Sequence, residues 1–459
     1  MDRENSKFEM SSLTAGVIKS VNKKKTIMRK AFILLLGLAL YTTSCTFDDQ
    51  VDPNAPSLNS VLSNASLQEL NLLVTGTEAA MRNGFGTFCT SSGSIAREFY
   101  KFDADPRNTE DLLGKNGTQL DNNTFYLTAP YNTRYRVVKN CNILLEAVDN
   151  TDQVTAAEKD GYRGFANTVK AHMLLQVLSM LDDNGIRIDV ADPENIGPFV
   201  AEGQAYNDIL ALLDLGFSQL SGASFAFSLS SGFDGFNTPS SFGQYNRAIS
   251  AKTALYAEQW DEVTKVINTT FMDLGGPLDV GPKHVFSNSS GDIQNPLFKA
   301  AGQSGDQLVV HNDFINNATA GDARLSKFRA RINTPSQDDL NGTHETALFA
   351  TSTSSIDLIR NEELILIYAE ASMQNGDLTE AVNAINVIRN AAGIGDYAGT
   401  VDKDSLIDEL LYQRSYSLWG EGHRMFDMRR YGRLNSNFLP IDRAGDIIHT
   451  KFPVPLTEG

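Results

Sequence analysis

Cysteine is scarce in this chain, with three in 459 residues, at positions 45, 89 and 141. A disulfide framework therefore does not hold the fold together, although a bridge between Cys89 and Cys141 stays open as a pairing in an oxidising compartment. No GxSxG elbow, P-loop or dinucleotide fingerprint occurs, which removes the common nucleophilic and nucleotide-dependent chemistries. The six histidines show neither HExxH nor paired zinc spacing, so no transition metal and no cofactor is expected. Basic charge is short as well: 39 Lys and Arg stand against 56 Asp and Glu, a formal net charge of −17. That balance argues against nucleic acid and against adsorption to anionic lipid.

Long apolar runs are missing too. The run Ala31–Leu40 has ten residues, about half of what a bilayer-spanning helix needs. It follows a basic flank (Lys23, Lys24, Lys25, Arg29, Lys30) and leads through Thr42, Thr43 and Ser44 to Cys45. That order describes a lipoprotein export signal over 28–44, with Cys45 accepting lipid and starting the mature chain. The competing reading is an ordinary secretory signal in which Cys45 is incidental. Residues 1–27 are polar, lack apolar periodicity and precede Met28, so they read as an over-long start. Residues 45–459 form one expected domain, long enough to bury a large core.

What is present is mostly helical periodicity. TAAE at 155–158 offers a capping box, and Tyr162, Phe165, Ala166, Val169, Met173, Val177 and Leu181 follow on one stripe. A second helix pair bends at Gln259 and Trp260. The clearest unit is residues 361–393, in which one helix ends near Gly376, Asp377 caps the next, and Leu378, Ala381, Val382, Ile385 and Ile388 form a buried face. Small residues such as Ala369, Ala371 and Ala381 let paired helices approach, as in tetratricopeptide hairpins. The expected fold class is predominantly α, with such hairpins, a long loop-rich region and few short strands. Helical parts at 45–274 and 356–459 would flank an irregular region at 275–355, and residues 83–108 and 221–245 share its Ser/Gly-rich, aromatic-spaced character. Long irregular segments on a helical scaffold commonly carry function.

The order of elements, and above all the C-terminal third, resembles the SusD/RagB family of Bacteroidetes outer-membrane nutrient-binding lipoproteins. The residues that carry the resemblance are IRNEELILIYAEASMQNGDLTEAVNAINVIRNAAGI, then LIDELLYQRSYSLWGEGHRMFDMRRYGRL, then FPVPLTE. The family pattern falls on Arg360, Arg414, Glu421, Gly422, Arg424 and Asp427, for which guanidinium–carboxylate pairing across a helix and its exit is the expected, structural role, a ligand site for an anionic or polyol substrate being the competing reading. Asp48 and Asp49 after Cys45 resemble the acidic tag that directs some such lipoproteins to the outer face. Two departures stand out. Gln413 and Ser417 occupy positions where many members have Glu, and residues 181–199 replace a turn seen in many members.

The resemblance implies a surface-exposed, lipid-anchored protein of the outer membrane that captures a nutrient, most commonly a glycan. It would deliver the nutrient to a partner SusC-like, TonB-dependent transporter, closing over its extracellular mouth. Glycan capture needs flat apolar faces for the pyranose C–H face, flanked by hydrogen-bonding side chains. On that ground the candidate ligand residues are Tyr100 and Phe102 with Asp103, Asp105 and Arg107, and Phe233, Phe236 and Tyr245 with Asp234, Asn237 and Gln244. The competing reading is that these aromatics pack loops onto the helical body. Trp260 and Trp419 read as core residues.

Other functions stay open from sequence. A surface glycosidase needs two carboxylates across a cleft, and an acidic chain always offers a pair to nominate, so binding without catalysis is the expected activity. A peptide or other non-glycan nutrient and a purely structural scaffold are further alternatives. The acidic loop with Asp182, Asp183, Asn184, Asp189, Asp192 and Glu194 invites calcium but fails the EF-hand spacing, so a solvated acidic loop is expected there.

Overall fold

The computed structural model describes residues 58–458. The expected export signal, Cys45 and Asp48–Asp49 lie outside the described residues. Helices dominate, and several start where the sequence provides a side-chain cap. Ser66 and Glu69 form a capping box for the helix Leu67–Ala80, and Thr155 and Glu158 do so for Ala156–Leu181. Such caps satisfy the orphan amides of the first turn and contribute about 1 kcal/mol each. Asp377 accepts from the Glu380 amide at the start of Leu378–Ala391, as expected.

The scaffold is a succession of antiparallel hairpins. The helices Phe125–Asn150 and Ala156–Leu181 pair, Glu202–Leu220 packs on the second of them, and Pro239–Tyr256 and Trp260–Ile267 follow. Asn361–Gln374 joins this stack through Trp260–Ile267 and pairs with Leu378–Ala391 and Lys403–Ser417. Close approach depends on small residues. A Cβ at Gly164 would stand 2.6 Å from Leu220 Cγ, so only glycine lets Glu202–Leu220 lie that near. Buried Asn246 then pins three helices, donating to Thr168 Oγ1 at 2.7 Å and to the Leu213 carbonyl at 3.0 Å. These contacts fix the end of Glu202–Leu220 against the start of Pro239–Tyr256.

The regions expected to be irregular carry more structure than that. Residues 85–95 form a helix, Phe85–Ile95, buried at every residue except Thr87. A four-stranded antiparallel sheet runs in the order Phe99–Asp103, Asp306–Val310, His344–Thr346, Phe328–Ala330. Three of its strands come from the 275–355 region. Alternation along Phe99–Asp103 sends Phe99 towards Trp419, Leu308 and Phe328, and sends Tyr100 and Phe102 to the opposite face against Leu113 and Leu340. Trp419 is fully buried, as expected, with Nε1 donating to the Glu98 carbonyl at 3.3 Å. Cys89 and Cys141 are both buried and unpaired.

Candidate functional site

A groove of about 660 Å³ lies between the end of Glu202–Leu220 and the start of Pro239–Tyr256. Two local features shape it. Thr238 caps the second helix, receiving the Ser241 amide at 3.2 Å, and Pro239 at the first helical position supplies a preset φ. Ser221 and Gly222 end the first helix, with Gly222 at φ +77°, a conformation that favours glycine. The two helix ends and the loop between them form the walls.

An aromatic plate lies in the groove. Phe217 is 40% exposed, off the stripe Ala205, Ile209, Leu213, Gly216 and Leu220 by which its helix packs. The Arg247 guanidinium lies 4.4 Å from the centroid of the Phe217 ring, and Arg247 is itself held by Asp214 at 2.6 Å and by Asn246 at 2.8 Å. Gly243 leaves room beside the ring, since a Cβ there would stand 3.3 Å from Phe217 Cε2. Around the ring, the Gln244 amide and the Ser221 and Ser240 hydroxyls have no partner among the described residues. An immobilised ring beside unpaired amide and hydroxyl groups can stack on an apolar ligand face and hydrogen-bond its polar edge.

Of the second expected cluster, only Gln244 lines this groove. Asp234 and Asn237 are exposed on the preceding loop. Phe233, Phe236 and Tyr245 are buried, with Tyr245 fully enclosed and its hydroxyl 2.7 Å from His172 Nδ1. Their rings offer no face to a ligand, so the stacking expected of them gives way to packing. In the sequence Phe217 reads as one more apolar helical residue. Its position off the buried stripe was the signal available.

The first expected cluster lies elsewhere, at the edge strand of the sheet, and its charges are already satisfied. Tyr100 and Phe102 are 5% and 4% exposed and stack on each other at 5.9 Å, and the Tyr100 hydroxyl donates to Asp442 at 2.6 Å. Asp103 accepts from Lys101 at 3.0 Å, from Asn108 at 2.9 Å and from the Asp105 amide at 2.9 Å. Arg107 grips Asp105 bidentately at 2.8 and 2.6 Å, which holds the Asp105 carboxyl below its usual range. Little hydrogen-bonding capacity is left for a ligand, and the two aromatic rings are closed to stacking.

The family-pattern residues form a ladder of ion pairs. Arg360 meets Glu421, grips Glu362 at 2.9 and 2.7 Å, and donates to the Ser417 carbonyl at 2.7 Å. Arg414 donates to Asp427 at 2.7 Å, and Arg430 bridges Asp427 at 3.0 Å to Glu370 at 2.6 Å. Gly422, at φ +82°, fits under Phe88, whose Cε1 would stand 2.9 Å from a Cβ. Arg424 departs from the expected pairing. Its Nε donates to the Ala96 carbonyl at 3.1 Å, its guanidinium lies 5.0 Å from the Phe314 ring centroid, and it makes no ion pair among the described residues. The Gln413 and Ser417 departures have a local partner in Arg324, which donates to Gln413 Oε1 at 2.7 Å and to Ser417 Oγ at 3.1 Å while gripping Asp322.

Residues 302–455 match the SusD family model. SusD-like protein P38 of Formosa agariphila is 33% identical over 171 residues, 35% of this chain and 30% of the relative, so the match spans under a third of that relative's length. Among solved structures, a SusD superfamily protein from Bacteroides thetaiotaomicron superposes with a TM-score of 0.65 at 16% identity, covering 86% of this chain and 97% of the other. Surface glycan-binding protein A from the same species gives a TM-score of 0.67 at 13% identity, covering 87% and 97%. At such identities the likeness is one of fold.

Proposed function

We propose that this chain, whose residues 302–455 match the SusD family model, is a surface-exposed outer-membrane lipoprotein that binds an oligo- or polysaccharide and delivers it to a SusC-like, TonB-dependent transporter. Cys45 carries the lipid, Asp48 and Asp49 address the chain outward, and the helical body closes over the transporter mouth. The observation that carries the binding role is Phe217, an exposed ring braced by Arg247 and edged by the unpaired Gln244 amide and Ser221 and Ser240 hydroxyls. A pyranose stacks its C–H face on that ring and hydrogen-bonds the rim through its hydroxyls.

Binding without catalysis is the activity proposed. The described residues lining the groove include no carboxylate, whereas glycoside hydrolysis uses a pair of them. A fold relative named as a surface glycan-binding protein supports the same reading. Titration calorimetry with neutral oligosaccharides tests the site: Phe217→Ala is expected to weaken binding about tenfold, roughly 1.4 kcal/mol. An unchanged Kd in that variant removes the groove from the account. Co-purification of the tagged protein with a β-barrel transporter from its own membranes tests the delivery role, and its absence contradicts that part.

A further inference from the structure

A second cavity, of about 250 Å³, opens between the short helix Asn312–Asn316, the helix Lys403–Ser417 and the chain from Arg424 to Pro440. Three guanidinium groups reach it, and two are already paired with carboxylates. Arg97 donates Nε to Asp442 at 3.1 Å and its terminal nitrogens to the Ile95 and Leu113 carbonyls. Arg433 is held by Asp408. Arg424 differs: Nε is anchored on Ala96, the guanidinium is seated against Phe314, and Nη1 and Nη2 meet no acceptor among the described residues. A guanidinium fixed at one edge with its other N–H groups free is preorganised for bidentate recognition of a carboxylate.

The rest of the cavity narrows the ligand class. Asp313 contributes the single carboxylate of the lining, half-exposed, with His311 Nδ1 at 3.8 Å and close enough to Arg424 to act on it through space without pairing with it. Asn317 presents an unpaired amide, and Phe438, 53% exposed and backed by the Arg433 guanidinium 5.1 Å from its centroid, supplies an apolar plate. A second negative charge on a ligand would meet repulsion from Asp313, whereas neutral hydroxyls donate to it. The chain's net charge of −17 gives an acidic ligand no long-range attraction, so selection rests on the local fork.

We propose that this cavity binds a uronic acid residue of an acidic glycan, its carboxylate on the Arg424 fork, its hydroxyls on Asp313 and Asn317, and its C–H face on Phe438. The inference depends on the glycan reading only in taking the ligand to be a sugar, and it concerns a different site. Calorimetric titration of the purified protein with oligomers of galacturonate, glucuronate and mannuronate, and with their carboxyl-reduced neutral counterparts, tests it. At least one acidic oligomer is expected to bind at least tenfold more tightly than its neutral counterpart.

Arg424→Gln is expected to abolish that preference. Because Arg424 also braces Ala96, a second variant is needed: Asn317→Trp, at the exposed rim, should close the mouth with the melting temperature unchanged and remove acidic binding too. Phe217→Ala should leave acidic binding intact. Equal affinity for acidic and neutral oligomers, binding that survives both cavity variants, or binding of a sulfated sugar or a tripeptide carboxylate while every uronate is inert would overturn the proposal. Neutral glycans binding through Phe217 with no uronate bound would sink this inference and leave the glycan reading standing; no binding of either class would sink both.

Discussion

The Nε of Arg414 donates to Oδ2 of Asp427 at 2.7 Å, tying the helix Lys403–Ser417 to the short helix Arg424–Arg430 across the turn that holds Glu421 and Gly422. Both side chains are buried, and Nη1 and Nη2 of Arg414 have no partner. The pair is therefore the main compensation for a buried guanidinium. Removing its carboxylate leaves the charge stranded.

Asp427→Ala is expected to cost about 3–5 kcal/mol of unfolding free energy in urea. Burial alone would raise the Asp427 carboxyl pKa, yet Arg414 and Arg430 hold it below its usual 3.8. The sign follows: the pair's contribution is present above about pH 4 and is lost as pH falls through the depressed native value. A variant as stable as the parent at pH 7 would contradict the ladder's structural role.

Gly422→Ala tests packing separately from backbone strain. At φ +82° any side chain is strained, and here the new Cβ also meets Phe88. Gly235, at φ +83°, has nothing within 4 Å of the same position. Gly235→Ala should cost about 1 kcal/mol from φ alone, and Gly422→Ala about 2–3 kcal/mol, since overpacking adds its own penalty. Equal thermal shifts for the two variants would show that the Phe88 contact relaxes freely.

Glu98 sets a pH dependence of opposite sign to that of Asp427. Burial raises its carboxyl from 4.5 to about 7, and Oε2 has no hydrogen-bond partner. The unfolded chain ionises Glu98 first, so between about pH 4.5 and 7 the native state holds the extra proton and stability falls as pH rises, by about 3 kcal/mol in all. Glu98→Gln is expected to flatten that slope and to exceed the parent in stability at pH 8, with little difference at pH 4. Parallel stability profiles for variant and parent would contradict the raised value.

How much of this was legible beforehand follows from the kind of signal each residue carries. The capping box of Thr155 and Glu158, the Asp377 cap and the buried Trp419 were readable because caps and stripes are local. The helix Phe85–Ile95 was not, because FGTFCTSSGSI has no polar face to alternate with. It is buried at every residue except Thr87, and its small Ser, Thr and Gly residues serve close packing rather than solvation. The sheet is hidden in the 275–355 region because its strands are short and one of them, Asp306–Val310, pairs with Phe99–Asp103, about 200 residues earlier.

The recognition surfaces show the same limit. Ser/Gly-rich loops with aromatics looked like ligand platforms, yet period-two alternation and core packing turn Tyr100, Phe102, Phe233 and Tyr245 inward. The exposed ring came instead from a regular helix, at Phe217. Arg424 read as one more rung of the ladder. Only three-dimensional placement against Ala96 and Phe314 leaves its fork unpaired.

The most direct measurement is affinity electrophoresis of the purified protein through gels cast with a panel of neutral and acidic polysaccharides, with reducing ends assayed after incubation with each. Retardation by at least one glycan without new reducing ends is the predicted result. Free migration through every gel, or retardation accompanied by new reducing ends, would contradict the claim that this chain captures a glycan without cutting it.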